Sequence, residues 1–384
     1  MDRREYLKAA GGSAVGAAAL FGVYTTIFRS GTRPFDDAIN TDHEPEEYDI
    51  DSRPGHLLSG ITPPSRDMTV LDPREAWLGI EHAVVGIFLD MGHPPEEVER
   101  LTYSVIDAVW ERGHVPHIFW QPFLPDREET SLQINSEIAA GEHDDTIEAW
   151  AGALANWAMR EDDPDRRLYL NLAPEFNGDW SPWSPALGND DEEDFVAMWQ
   201  RIHDTVHETG LDSSHVQWIW TLDNATRGVD REACYPGDDY IDWAGVHGYN
   251  WSAWGSWLTP QEVYGSTIST IYNITDAPIA ITEFATSSET EEGGNDPGRK
   301  DTWITDAYAF LRDERVSMTL YFDFVKETDW AIFDTPHGTD TVDIDGNEYT
   351  VSAAYRDAMT SNGILPAHPE HPRLLTDDEF AGNL

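Results

Sequence analysis

Two glutamates stand apart from the other acids of this 384-residue chain. Glu175 closes an apolar run in NLAPEFNGDWSPW (171–183), and Glu283 closes another in APIAITEFATSS (277–288). A carboxylate at the end of a buried strand is costly unless it is paired, hydrogen-bonded or used. The remaining acids cluster in loops and helix starts, so position separates these two from the rest. Two carboxylates that face each other across a cleft suit glycoside hydrolysis, one as acid/base and the other as nucleophile or as base on water. The competing structural reading is a pair of buried salt bridges, for which these strands offer little arginine.

Aromatic residues crowd the same loops. Trp120, Trp180, Trp183, Tyr249, Trp251, Trp254, Trp257 and Trp330 all fall at or just beyond the ends of apolar runs. The apolar face of a sugar ring stacks on indole, so exposed tryptophans beside paired acids favour a saccharide cleft, although core packing explains any one of them as well. His117 and His247 belong to the same runs and are expected in the cleft.

The elements that must hold these residues are eight strand candidates: 56–61, 83–90, 115–122, 167–175, 216–223, 241–250, 278–285 and 318–324. Amphipathic stretches separate several of them, the signature of successive βα units. Those over 94–113 and 190–210 begin with acids, which complement the helix dipole, and end at Gly113 and Gly210, which supply left-handed caps. Eight such strands close a (β/α)8 TIM barrel, whose sites are built at the carboxyl ends of the strands. The fold class is α/β. The domain reading is an export signal or anchor over 1–28, an acidic linker over 29–54, the barrel over 55–365 and a C-terminal tail over 366–384.

Composition bounds the partners. Asp plus Glu number 72 against 24 Lys plus Arg, giving a formal charge of −48. Nucleic acid and anionic membranes are thereby excluded as partners for a basic face, and a neutral β-linked polysaccharide or oligosaccharide is the expected one. With 11% aromatic residues, 16 of them Trp, the acidity belongs to the surface of a packed fold and not to disorder. Lysine occurs only at Lys8, Lys300 and Lys326. Such a surface suits concentrated salt, where screening removes self-repulsion, so a halophilic source is expected. Cys234 is the only cysteine, so no intrachain disulfide forms. No Gly-rich phosphate loop follows a strand, and neither a cofactor nor a metal is expected.

The first residues, MDRREYLK, precede an apolar stretch, and the pattern R-R-x-aromatic-L-K resembles a twin-arginine export signal. The expected location is extracellular or tethered to the cell surface. The only membrane contact expected is through this segment, should it remain as an uncleaved anchor.

The segments GEHDDTIEAWAGAL (141–154), PEFNGDW (174–180), YPGDDYIDWAGVHGYNW (235–251), APIAITEF (277–284) and the run from WITDAYAFL to YFDFVKETDW (303–330) together resemble glycoside hydrolase family 26. That family lies in the clan of barrel glycosidases with glutamates after strands four and seven, and the resemblance covers about 56 to 360. It implies a retaining mechanism with Glu175 as acid/base and Glu283 as nucleophile. It further implies that Tyr249 orients the nucleophile, that Trp330 floors the subsite of the attacked sugar, and that Asn177 and Trp180 shape the loop behind the acid. Trp120, His247 and Trp251 complete the expected substrate contacts. The family acts mainly on β-1,4-mannans, with members that cleave mixed-linkage β-glucan or β-1,3-xylan.

Two positions depart from the family pattern. Pro174 stands where a histidine precedes the acid, and Asn171 stands where the family has arginine; Asn171 is a candidate substitute on the inward face of its strand. These changes leave two alternatives beside a β-mannanase: a catalytically silent carbohydrate-binding protein on the same barrel, and a hydrolase of the host's own exopolysaccharide. DIDGNE (343–348) looks like a calcium loop but is read as a D-G turn between strands.

Overall fold

The computed structural model describes residues 55–163, 165–225, 227–252, 255–367 and 375–384. The export signal, the acidic linker and Trp254 lie outside the described residues.

Each of the eight apolar runs forms a strand: β1 (Leu57–Thr62), β2 (Val84–Asp90), β3 (Val115–Gln121), β4 (Leu168–Leu172), β5 (Val216–Asp223), β6 (Trp243–Asn250), β7 (Ile279–Thr286) and β8 (Met318–Phe322). All pair in parallel with their sequence neighbours, and β8 pairs back to β1, so the sheet closes into the (β/α)8 barrel. Parallel strands in such a barrel are covered on both faces, by interior side chains and by helices, and so read as near-continuous apolar runs. Among the described residues no helix is long and apolar enough to cross a membrane.

The outer layer is irregular where the sequence is. The stretch read as one helix over 94–113 is Pro95–Leu101 and Asp107–Trp110 joined by a π-helical turn over Thr102–Ile106. The stretch over 190–210 contains a regular helix, Glu192–His207, whose start is fixed by a reciprocal capping box between Asp191 and Asp194. Among the described residues between β5 and β6 the only helical element is a 3-10 turn, Asp238–Tyr240. DIDGNE forms the tip of an antiparallel hairpin, β9 (Asp340–Ile344) with β10 (Asn347–Val351). Asp345 and Gly346 take positive φ of 52° and 82°, as a two-residue hairpin turn requires.

The last residues are docked. Leu375 and Phe380 are buried, and the Tyr169 hydroxyl on β4 donates to the Phe380 carbonyl at 3.1 Å. Arg167 lies over the Phe380 ring, and Gly382 abuts Trp243 and Pro278 at the starts of β6 and β7. Residues 375–384 of the segment read as a tail therefore lie against the end of the barrel opposite the site. The two buried apolar side chains named, Leu375 and Phe380, too few to produce a periodic pattern, provide the hold.

Candidate active site

Glu175 lies three residues beyond the end of β4 in a tight turn. Its φ is +58° and that of Ala173 is +46°, a left-handed conformation that costs an L-residue about 1–2 kcal/mol. Such strain persists where the surroundings over-determine the backbone, and it collects at functional sites. Three interactions hold this turn. The Glu175 amide donates to the Thr221 carbonyl at 3.2 Å, and the Trp183 indole N–H donates to the Pro174 carbonyl at 2.9 Å. The Trp180 indole N–H donates to Glu175 Oε2 at 2.7 Å.

Glu283 reaches the interior through a shift in strand register. Val246 on β6 pairs with Ile281, but the next residue, His247, pairs with Glu283, so Thr282 is an extra residue on β7. A bulge of this kind re-aims the following side chain. Thr282 and Glu283 then both face inward: Thr282 accepts a hydrogen bond from Asn171 Nδ2 at 3.4 Å, and Glu283 Oε2 accepts one from the Tyr249 hydroxyl at 2.5 Å.

His247 connects the two acids. Its Nδ1 is 2.9 Å from Glu175 Oε1 and 3.7 Å from Glu283 Oε2. An oxygen of each carboxylate and a ring nitrogen of His247 lie within 4.8 Å of one another. Such a donor set could also hold a metal ion, and it is the one group of this kind among the described residues. The other oxygen of Glu175 accepts from the Trp180 indole; on Glu283 the oxygen that faces His247 also accepts from the Tyr249 hydroxyl, and Oε1 has no hydrogen-bond partner.

Burial raises Glu283 to about 7; the nearby Glu175 adds to the shift, while His247 and the Tyr249 hydrogen bond oppose it. Asp223, at the end of β5, is pushed up to about 8 by burial and by Glu175. The imidazole of His247 is held above its ordinary value: burial opposes its charge, but Glu283 and Glu175 outweigh it. Lys326, in the loop after β8, is lowered to about 8 by burial despite Glu327 at 3.1 Å.

Beside Glu283 an aromatic corner forms. The rings of Tyr249 and Trp330 are 5.3 Å apart, and Trp251 meets Trp330 edge-on at 4.9 Å. The loop carrying Trp330 is fixed from beneath. The buried ammonium of Lys300 donates to the carbonyls of Asp329 and Ala331, on either side of Trp330. The Asp329 carboxylate accepts from the Ser287 hydroxyl and the Ser288 amide, which ties this loop to the end of β7.

Glu175, Glu283, Tyr249, His247, Trp180, Trp251 and Trp330 thus converge, and three other expected contacts do not. Trp120 is on the outer face of β3, since its neighbour Phe119 points inward to His247, and it packs edge-on against Trp150 of the helix Asp144–Ala158. Asn177 turns into the protein, giving both amide hydrogens to the Asp223 and Ala225 carbonyls and accepting from the Asp223 amide. Asn171 does face the barrel interior but is fully buried there, on the Thr282 hydroxyl, where it supports the bulge in place of a sugar contact. Trp183 is likewise a buried brace, packed on Phe123. His117 is wholly buried below His247, and neither of its ring nitrogens has a hydrogen-bond partner; burial holds it down at about 3. Asp223 and Lys326 were not singled out from sequence. Asp223 ends the fifth apolar run as Glu175 and Glu283 end theirs, and that signal was available; Lys326 had only the rarity of lysine.

Comparison with known proteins places this arrangement among glycosidases. The model of the Glycosyl hydrolase family 26 matches residues 127–258, a span that includes Glu175, His247 and Tyr249. Endoglucanase H of Acetivibrio thermocellus is 29% identical over 270 residues, covering 68% of this chain and 26% of the relative. The chain therefore spans about a quarter of the length of that curated relative. Solved structures share the fold. The mannanase man26 of Bacillus subtilis superposes with a TM-score of 0.53 at 16% identity, over 72% of this chain and 83% of the other. A β-mannanase from a symbiotic protist of the termite Reticulitermes speratus, complexed with gluco-manno-oligosaccharide, gives 0.54 at 18%, over 81% and 88%. The modular endo-β-1,4-mannanase of Cellulomonas fimi gives 0.54 at 16%, over 83% and 73%.

Proposed function

We propose that this chain, which the model of glycoside hydrolase family 26 matches over residues 127–258, is a retaining, endo-acting glycosidase of that family acting on a β-linked polysaccharide, β-1,4-mannan or glucomannan foremost. One observation carries the mechanism: two buried carboxylates, one after β4 and one on β7, have oxygens within 4.8 Å of each other. Retaining enzymes keep their carboxyls about 5–5.5 Å apart, whereas inverting ones need roughly 6.5–9.5 Å to admit a water. In this reading Glu283 attacks the anomeric carbon while Glu175 gives its proton to the departing glycosidic oxygen. Glu175 then takes a proton from water as that water releases the sugar from Glu283. Tyr249 holds the nucleophile, and the half-buried Trp251, backed by the wholly buried Trp330, stacks on the sugar that is attacked. The relatives' printed substrates, gluco-manno-oligosaccharide and β-1,4-mannan, support the substrate class.

The proposal extends to the setting. The sequence pattern supports export by the twin-arginine route to the cell surface or beyond, and the charge of −48 supports work in concentrated salt. The test is reducing-sugar release in molar KCl from β-mannan, glucomannan, mixed-linkage β-glucan and β-1,3-xylan, comparing wild type with Glu175→Gln. Cleavage of one polymer that the variant loses supports the reading; binding without cleavage across the panel overturns it. Folding that is equally stable in dilute buffer argues against salt adaptation, and export unchanged by Arg3→Lys with Arg4→Lys argues against the twin-arginine route.

A further inference from the structure

Inward positions of β6 alternate Gly245, His247 and Tyr249. Gly245 carries no side chain because a Cβ there would sit 2.1 Å from the Thr221 hydroxyl. Above it the His247 ring is almost completely buried, edge-on to Phe119, with Nε2 unpartnered and Nδ1 turned to the acids. The charged and titratable groups around it come from every neighbouring element: His117 on β3, Glu175 after β4, Asp223 on β5, Tyr249 on its own strand and Glu283 on β7. Lys326, after β8, faces the two glutamates. Three buried carboxyl groups thus converge on one imidazole. They do not all ionise in so small a volume without protons or a cation among them.

We propose that His247 is a positioning residue that keeps the resting proton on the Glu175 side of the pair and leaves Glu283 ionised. The assignment rests on the retaining mechanism proposed above. That mechanism starts from a protonated acid and a bare nucleophile, yet two carboxyls this close, left alone, share one proton that either can hold. The imidazole breaks the tie by asymmetry: it hydrogen-bonds Glu175 at 2.9 Å and stands 3.7 Å from Glu283. The proton resides in the Glu175–His247 hydrogen bond and passes to the leaving oxygen through Glu175. The positive character of the ring favours the carboxylate form of Glu283. When water attacks the glycosyl-enzyme, the proton it loses returns to the same bond. In this role His247 acts through the two carboxylates it faces.

The test is an NMR titration of the histidine imidazoles in protein labelled with 15N-histidine, in concentrated KCl, with His247→Asn assigning the signal. The expected result is a His247 ring that titrates above the ordinary imidazole value in wild type and falls by about one unit in Glu283→Gln, the size of a close charge pair's effect. A ring that titrates at or below the ordinary value, or that ignores Glu283→Gln, overturns the assignment. This readout needs no turnover, so it separates failure of the assignment from failure of the glycosidase reading. Kinetics supply the second arm. In His247→Asn and in His247→Gln the acidic limb of kcat/KM is expected to move to higher pH, because Glu283 loses the group that favours its charge. A uniform fall in kcat with an unmoved limb would mean a merely structural role and would overturn the proposal.

Discussion

Replacing Asn177 by alanine distinguishes a structural staple from a sugar contact. Its amide donates to the carbonyls of Asp223 and Ala225 at 2.9 Å each and accepts from the Asp223 amide at 2.7 Å. Arg231 also reaches both carbonyls, at 3.1 and 3.2 Å, so those acceptors keep a partner and their loss costs about 0.5–1.5 kcal/mol each. The Asp223 amide loses its acceptor within the protein, at about 1–3 kcal/mol. The total is about 2–6 kcal/mol, centred near 4. Unfolding entropy of about 2.1 cal/mol/K per residue, over roughly 320 folded residues, gives about 0.7 kcal/mol/K and a Tm lower by about 6 °C. Calorimetry in molar KCl measures this, and steady-state kinetics on the same samples give KM. Because both amide hydrogens and the oxygen of Asn177 are spent on backbone, KM is expected to stay within about threefold, short of the tenfold that a lost 1.4 kcal/mol contact produces. An unchanged Tm with KM raised tenfold would refute the reasoning and return Asn177 to the substrate.

Tyr249→Phe removes a hydrogen bond to a carboxylate, worth about 1.5–3 kcal/mol or about 1–2 pKa units. That bond favours the charged form of Glu283, already raised to about 7, so its loss moves the acidic limb of the pH–rate profile upward; a limb that stays or falls contradicts the role. Lys300→Met removes the ammonium that holds the carbonyls flanking Trp330, and loss of one partner of a buried charge pair costs about 3–5 kcal/mol. Chemical denaturation should show that loss together with weaker substrate binding; a fully stable variant of unchanged KM would mean that Lys300 does not support the aromatic floor.

Most of the barrel could be read from sequence because its strands are buried on both faces, so each appears as an apolar run of strand length. The two glutamates were legible as polar ends to such runs. What was not legible depends on direction. Trp120 and Phe119 are neighbours, and only the phase of the strand decides that Phe119 points at His247 while Trp120 points at Trp150. The bulge at Thr282 leaves the apolar run of β7 unchanged, so nothing in the pattern announces that Thr282 and Glu283 both face inward. Asn177 looked like a cleft residue because it follows the acid by two positions, yet the turn at Glu175 swings it back toward β5. The docking of Phe380 depends on Tyr169 and Arg167, more than 200 residues earlier, a pairing that no local periodicity encodes.

The most direct test of the central claim is the anomeric configuration of the newly formed reducing end, followed by proton NMR in the first minutes of hydrolysis of the β-linked polymer that the enzyme cleaves. Carboxylate oxygens within 4.8 Å of each other predict that the β anomer appears first and only later equilibrates to the mixture. First appearance of the α anomer would mean direct attack by water, and the roles given to Glu283 and His247 would fall with it.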